Sequence, residues 1–271
     1  DIIVIGAGVA GCAIARELSR KKADILVVER EEDVCCGTSK ANSAIVHGGF
    51  DAAPGTLMAK LNVRGSQVME QLSKDLDFHY ERCGSLVLCM AREDLPQLQA
   101  LYEKGVANEV EDLEIIDSAR LKEMEPNVSS DAVAALWAPT GAIVCPFGLN
   151  FALAENAADN GVQFRFNTEV QRIVKTDSGW LLKTNNGEFA AKVVINAAGV
   201  HSGLLHNQVA EDQVNVVARK GEYYLLDKQV DVIKEACALA GIQAEKSGRN
   251  DLLAEGRKFS GNAFYQDKVH A

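Results

Sequence analysis

No uninterrupted apolar run in the 271 residues approaches the ~18 needed to span a bilayer. The apolar start of the chain is broken by glycine and has no basic leader, so it does not read as a signal peptide. Positive charge is also short. Against 38 Asp and Glu stand only 28 Lys and Arg, a formal net charge of -10, which argues against a nucleic-acid or anionic-membrane partner. The seven cysteines include no C-x-x-C pair, and no Cys/His set has zinc spacing, so no metal site is expected. Their odd number fits a reduced, cytoplasmic chain. There is no initiator methionine before Asp1, which reads as a fragment at that end. What remains is ordinary globular composition, 47% hydrophobic and 24% charged, enough for one large domain or two.

The chain is organised around its first 29 residues. Ile2 to Ile5 is a short apolar run of the kind a buried parallel strand needs. Gly6, Gly8 and Gly11 follow as G-x-G-x-x-G. Cys12 to Arg20 reads as a helix carrying small residues, Ala13 and Ala15, and Asp24 to Val28 as a second strand ending on Glu29. This β-α-β unit reads as a dinucleotide site, with strand, helix, second strand and acidic end in register; the plain alternative is a purely structural glycine turn. Gly6 permits the tight turn, Gly8 leaves room for the pyrophosphate, and Gly11 lets helix and strand pack closely. The free N–H groups at the helix start face the phosphate charge. Glu29, 18 residues after Gly11, can accept from a ribose hydroxyl and repels a 2′-phosphate. The motif itself does not choose between FAD and NAD.

Glu31 to Gly49 lacks helical or strand periodicity and is rich in small polar residues, as functional loops beside nucleotide folds are. Its vicinal pair Cys35-Cys36 admits two readings, a redox pair or two small residues in a tight loop. A helix is expected from near Thr56 to about Leu76, with Leu57, Leu61, Val68 and Leu72 as its apolar stripe. Phe78–Arg82 and Ser85–Met90 flank Cys83-Gly84 and suggest a hairpin. Helices are expected over Glu93–Asn108, with Pro96 tolerated in the first turn, and over Asp117–Glu123; a strand follows at Ala132–Ala138. The section from about 77 to 141 therefore departs from the β-α-β pattern and reads as an inserted, substrate-facing domain.

The nucleotide fold resumes after Pro146. A helix runs from Phe147 to Asn160, and strands are expected at Val162–Phe166 and Glu169–Lys175. Trp180–Thr184 and Glu188–Ala191 flank Asn185-Asn186-Gly187, a strong hairpin turn. The strand Lys192 to Asn196 then runs into Ala197-Ala198-Gly199, which suits either a second close approach to a cofactor or a plain strand-to-helix turn.

Residues 1 to about 228 resemble the FAD-dependent oxidoreductase family that includes D-amino-acid oxidase, L-2-hydroxyglutarate dehydrogenase and the anaerobic glycerol-3-phosphate dehydrogenase. The pieces that carry the resemblance are IGAGVAGCAIARELS, VVER, GTSKANSAIVHGGFDAAPGTLMAKLNVRG, TEVQRIV, VVINAAGVHS and ARKGEYYLLD. The long third piece is the most specific and is closer to the glycerol-3-phosphate and 2-hydroxyglutarate branches. The resemblance implies an α/β fold with a Rossmann-like FAD-binding domain (1–76 and 142–214) and a mixed α+β substrate domain (77–141 and 215–228), truncated at its C-terminal end. It implies bound FAD, held at Gly6, Gly8, Gly11, Glu29, Arg30, Ser39, Asn42, Ser43, Val170, Ala198 and Gly199. It places His47 beside the flavin ring, as the group that takes the substrate hydroxyl proton or that tunes or tethers the ring, whereas the plain reading is a loop histidine with satisfied hydrogen bonds. Lys60, Arg64, Arg219 and Lys220 are candidates for an anionic substrate, and each also reads as a solvated surface charge.

From residue 229 the family pattern is expected to stop. Val230 to Ala240 reads as a helix, and the rest resembles the middle of lipoate–protein ligases through SGRNDL (247–252) and GRKFSGNA (256–263), where Lys258 is implied to contact the lipoyl-adenylate. The ligases' Arg-Gly-Gly lipoate-binding segment is absent from the sequence. The expected function is a flavoenzyme that removes a hydride from a small 2-hydroxy acid or glycerol 3-phosphate and passes electrons to a quinone or another acceptor. The alternatives are a lipoate ligase fragment and an inactive truncated fusion product.

Overall fold

The computed structural model describes residues 1–218 and the strands at 244–247, 251–254 and 257–261. Elements are numbered in chain order: β1 (Ile2–Ile5), α1 (Val9–Leu18), β2 (Ile25–Val28), β3 (Ile45–Val46), α2 (Leu57–Leu76), β4 (Tyr80–Glu81), β5 (Ser85–Cys89), α3 (Leu95–Ala107), β6 (Glu114–Asp117), α4 (Ser118–Met124), β7 (Ala134–Ala138), β8 (Ala142–Val144), α5 (Pro146–Asp159), β9 (Gln163–Arg165), β10 (Val170–Thr176), β11 (Gly179–Thr184), β12 (Gly187–Ala191), β13 (Val193–Asn196), α6 (Ser202–His206), β14 (Ala244–Ser247), β15 (Asp251–Ala254) and β16 (Arg257–Gly261).

Apolar runs 191 residues apart meet in one parallel sheet, ordered β13-β1-β2-β9, with Ile2 opposite both Val193 and Ile25. Such strands must be covered on both faces. On one face α1 and α5 close a core of Val4, Val27, Cys12, Ala15, Leu153 and Ala157. Ala15 and Ala157 are fully buried, which is what lets helix and sheet approach so closely. On the other face lies the antiparallel meander β10-β11-β12, where Ile173 and Leu182 pack on Ile3, Ile5 and Val28. The result is a three-layer Rossmann-like α/β arrangement.

Two further antiparallel sheets come from the middle of the chain, β3-β8-β4 and β5-β7-β6. They correct the expected hairpin: Tyr80–Glu81 pairs with β8 and Ser85–Cys89 pairs with β7. The intervening Gly84 explains the break. Its φ is +74°, its N–H donates to the Gly141 carbonyl at 2.8 Å, and a Cβ there would stand 1.8 Å from Cη2 of Trp137. The chain turns sharply at Gly84 to change sheets rather than to reverse within one.

The apolar stripe of α2 is corrected in part. Thr56 caps the helix, its hydroxyl accepting from the Ala59 N–H at 3.2 Å. Leu72 packs into the core with Met69 and Leu76, but Leu57 and Leu61 are 69% and 60% exposed, as is their neighbour Met58. Helix α1 begins at Val9 instead of Cys12, because Gly8 in extended conformation serves as its N-cap.

Residues 1–217 form one compact unit. In the second unit β14-β15-β16 make an antiparallel meander, with Lys258 on β16 opposite Leu253. The expected helix at 230–240, the expected junction near 228–229, and Arg219 and Lys220 lie outside the described residues. Among the described residues no helix is long and apolar enough to cross a membrane, and no group of three or more His, Cys, Asp or Glu side chains is arranged to hold a metal ion.

Candidate cofactor cleft

A cleft of about 640 Å³ opens at the carboxyl ends of β1, β2 and β13. This is where open α/β sheets bind ligands. The three glycines of the first motif hold it in different ways. Gly6 has φ +103°, and a Cβ there would lie 2.5 Å from the Ala197 carbonyl oxygen. Gly11 meets Gly6 so closely that a Cβ would fall 1.9 Å from the Gly6 oxygen. Gly8 faces the cleft, and the sole atom within 4 Å of a Cβ there would be Ser39 Oγ at 3.0 Å. That hydroxyl in turn accepts from the Val9 N–H at 2.9 Å, tying the loop to the start of α1. With the Val9 N–H taken by Ser39, it is the next amide of the first turn, at Ala10 in the cleft wall, that has no carbonyl one turn back to pair with and is available to an anion.

Glu29 is held from two sides. Its Oε2 accepts from the Ala7 N–H at 2.7 Å and its Oε1 from the Glu31 N–H at 3.0 Å. Its own N–H donates to the Arg165 carbonyl at 2.9 Å, and its carbonyl accepts from the buried Thr168 N–H at 2.7 Å. Each carboxylate oxygen keeps a free lone pair beyond these contacts. Arg30 donates through Nε to Glu31 at 2.9 Å and through Nη1 to Nε2 of His201 at 3.0 Å.

The far wall is formed by Val170 and Gln171, where β10 breaks register between Val170 and Arg172. Gln208 spans the break. Its Oε1 accepts from the Ile173 N–H at 2.9 Å and its Nε2 donates to the Gln171 carbonyl at 3.3 Å. Asn42 folds the loop on itself, donating to the Ser39 carbonyl at 2.8 Å and accepting from the Ala44 N–H at 2.8 Å.

Of the cofactor residues picked out from the sequence, all but Gly11 and Ser43 line this cleft. Gly11 packs beneath it, and Ser43 stands outside its wall. His47 is exposed on the segment leaving β3, also outside that wall. Its backbone neighbourhood is fixed: Gly48 and Gly49 are buried, and a Cβ on Gly49 would lie 2.5 Å from Cγ2 of Val63. Lys60 and Arg64 are exposed on α2. Cys35 is buried with φ +63°, Cys36 is half-buried, and both are free thiols. Burial, then the neighbouring Cys36, pushes the Cys35 thiol above its ordinary pKa. Thr168, His201 and Gln208 line the cleft without having been singled out, because no spacing rule marks a residue whose part is set by a neighbouring strand end.

Comparison with known proteins agrees with this geometry. Residues 1–249 match the family described as FAD dependent oxidoreductase, a match that continues past Gln229 and stops before Lys258. The glycerol 3-phosphate dehydrogenase of Caloramator mitchellensis is 43% identical over 230 residues, 85% of this chain and 48% of its own. The mitochondrial L-2-hydroxyglutarate dehydrogenase of Caenorhabditis elegans is 29% identical over 238 residues, 83% of this chain and 54% of its own. Among solved structures, the dithionite-reduced, FAD-bound L-α-glycerophosphate oxidase of Mycoplasma pneumoniae superposes with a TM-score of 0.74 at 31% identity, over 83% of this chain and 63% of its own. The chain thus spans roughly half to two thirds of the length of these relatives. With the three-layer fold, the glycine turn and Glu29 in place, the chain belongs to the family of FAD-dependent oxidoreductases.

Proposed function

We propose that the cleft binds FAD and that the protein oxidises a small anionic hydroxy compound, glycerol 3-phosphate or a 2-hydroxy acid, with a quinone or another acceptor taking the electrons. One observation carries the cofactor reading. Gly8 leaves the space a Cβ would occupy open toward a 640 Å³ cleft, while the Glu29 carboxylate is aimed by two backbone amides. The residues present fit the adenosine diphosphate half of FAD. The α1 amides and Ser39 suit the diphosphate, Glu29 the adenosine ribose, and Val170 with Ala198 and Gly199 the remaining walls. When bound, FAD supplies a hydride acceptor. His47 serves as the base, taking the hydroxyl proton on an imidazole nitrogen as the carbon–hydrogen bond is broken. Lys60 and Arg64 attract the anionic substrate along α2. In this reading residues 1–76 and 142–214 hold the cofactor and 77–141 face the substrate; the rest of the expected substrate domain, from 219 to 228, lies outside the described residues.

The substrate class rests on the names of the relatives, a glycerol 3-phosphate dehydrogenase and an L-2-hydroxyglutarate dehydrogenase. The test is direct. Purified protein should bind added FAD with a flavin absorption spectrum, and anaerobic glycerol 3-phosphate or L-2-hydroxyglutarate should bleach it. Bleaching by one and not the other identifies the branch. Bleaching by neither in protein that holds FAD rejects the substrate class. Protein that never acquires a flavin spectrum rejects the cofactor reading as well.

A further inference from the structure

We infer that His201 is a positioning residue for the cofactor, holding Arg30 across the cleft so that its guanidinium meets the dinucleotide's diphosphate. The inference rests on the reading of the cleft as an FAD site. In the sheet order β13-β1-β2, Arg30 follows the carboxyl end of β2 and His201 follows that of β13. Both side chains line the same cleft as Gly6 and Gly8, whose turn lies at the end of β1, between the two strands. Their 3.0 Å contact joins Arg30 Nη1 to His201 Nε2. Arginine can only donate, so His201 accepts at Nε2 and carries its proton on Nδ1. The histidine backbone is fixed in turn, its N–H donating to the Ala198 carbonyl at 3.0 Å.

The charge of the cleft makes this pair matter. Glu29, Glu31 and Glu169 line it, and Arg30 is the single Lys or Arg in its wall among the described residues. A diphosphate brings two further negative charges into that setting. Two of the five guanidinium donors are used, Nε on Glu31 and one hydrogen of Nη1 on His201, which leaves three for a phosphate oxygen. Without His201, Arg30 retains only the Glu31 contact and is free to swing out with it. Because the Arg30 and Glu31 side chains are 43% and 45% exposed, these contacts contribute little to folding. Their consequence is for the ligand.

The experiment is a double-mutant cycle on FAD affinity, read by quenching of flavin fluorescence, with a thermal melt of each cofactor-free variant as control. His201→Leu and Arg30→Met should each weaken binding about tenfold, the scale of a lost charge-assisted contact. The double variant should be no weaker than Arg30→Met alone, since His201 acts through Arg30. His201→Gln, which restores an acceptor, should recover most of the affinity. Melts should stay unchanged throughout. Losses that multiply in the double variant, or a Gln variant as weak as Leu, overturn the inference while leaving the FAD reading intact. Wild-type protein that fails to quench flavin fluorescence overturns both.

Discussion

The Glu29 carboxylate accepts a hydrogen bond from the Ala7 amide at 2.7 Å, joining the end of β2 to the middle of the glycine turn. One residue thus braces the glycine turn, and in the function proposed above its free lone pairs serve the adenosine ribose. Removing it should affect both. Glu29→Ala leaves the Ala7 and Glu31 amides without their acceptor and should cost about 2–3 kcal/mol of stability, with FAD affinity falling by more than about tenfold. Glu29→Gln keeps one carbonyl acceptor and should fall between the two in both measurements. Denaturant unfolding and flavin titration on the three proteins check this; wild-type stability in both variants, with FAD affinity lost, would mean that the carboxylate serves only the ligand.

The three glycines should separate folding from binding. Gly11→Ala drives a Cβ to within 1.9 Å of the Gly6 carbonyl oxygen, backbone against backbone, and should prevent α1 from docking. Soluble yield and the cooperative melt should both collapse. Gly8→Ala meets only Ser39 Oγ at 3.0 Å and should fold with a melt close to wild type. Its methyl group occupies the space into which the diphosphate must come, so flavin binding should be lost. A Gly8→Ala protein that binds FAD normally would remove the basis for the cofactor assignment.

Much of this was legible in the sequence because the β-α-β unit is local. Strand, turn, helix and second strand follow within 29 residues, and each carries its own periodicity or glycine requirement. The strand Val193–Asn196 was legible for the same reason, as a short apolar run ending in Ala-Ala-Gly, although its pairing with β1 spans most of the chain. The two smaller antiparallel sheets were legible only in part. The expected strands at Phe78–Arg82, Ser85–Met90 and Ala132–Ala138 contain β4, β5 and β7, but their partners carry no signal: Ile45–Val46 is two residues, too short for any alternation to show, and Ala142–Val144 and Glu114–Asp117 are hardly longer. The Gly84 region misled because Gly between two apolar runs is a hairpin signal, and only Trp137, 53 residues away, reveals the alternative. The half-exposed stripe of α2 shows a similar limit: periodicity locates an apolar face but does not state how much of it the described residues cover. His201 was silent for a related reason, since its partner Arg30 lies 171 positions away.

Gly84 itself provides a control for the cofactor experiments. With φ +74° and Trp137 packed where a side chain would go, Gly84→Ala should destabilise the sheet β5-β7-β6 by about 2 kcal/mol or more. The paired variant Gly84→Ala/Trp137→Leu should recover part of that loss by making room, though the strained φ remains. Gly84 lies outside the cleft wall, so FAD affinity of the folded fraction should be unchanged in both. Chemical unfolding monitored by tryptophan fluorescence (followed by circular dichroism where Trp137 is replaced) gives the comparison. No recovery in the double variant would show that the backbone turn, not the indole, is what excludes a side chain.

Below the glycine turn, Cys12 should make the protein sensitive to alkali. The thiol is fully buried, donates to the Ala7 carbonyl at 3.3 Å and accepts from Asn150 Nδ2 at 3.4 Å. Burial pushes its pKa from 9.0 up to about 12, against a smaller lowering by the Asn150 hydrogen bond. A thiol is neutral when protonated, so the folded state holds the proton more tightly than the unfolded chain. Its contribution is therefore complete below about pH 9 and is lost as pH rises from 9 toward 12, by up to ~1.4 kcal/mol per pH unit. Cys35 and Tyr80, also raised by burial, act in the same direction. The contribution of Cys12 is thus the difference between wild type and Cys12→Ala. Unfolding free energies measured at pH 8, 9 and 10 should fall more steeply for the wild type than for the variant, and iodoacetamide should leave Cys12 unmodified in folded protein at pH 8. Parallel pH profiles, or alkylation of Cys12 without unfolding, would show that this thiol is reached by water and that the floor of the cleft is open.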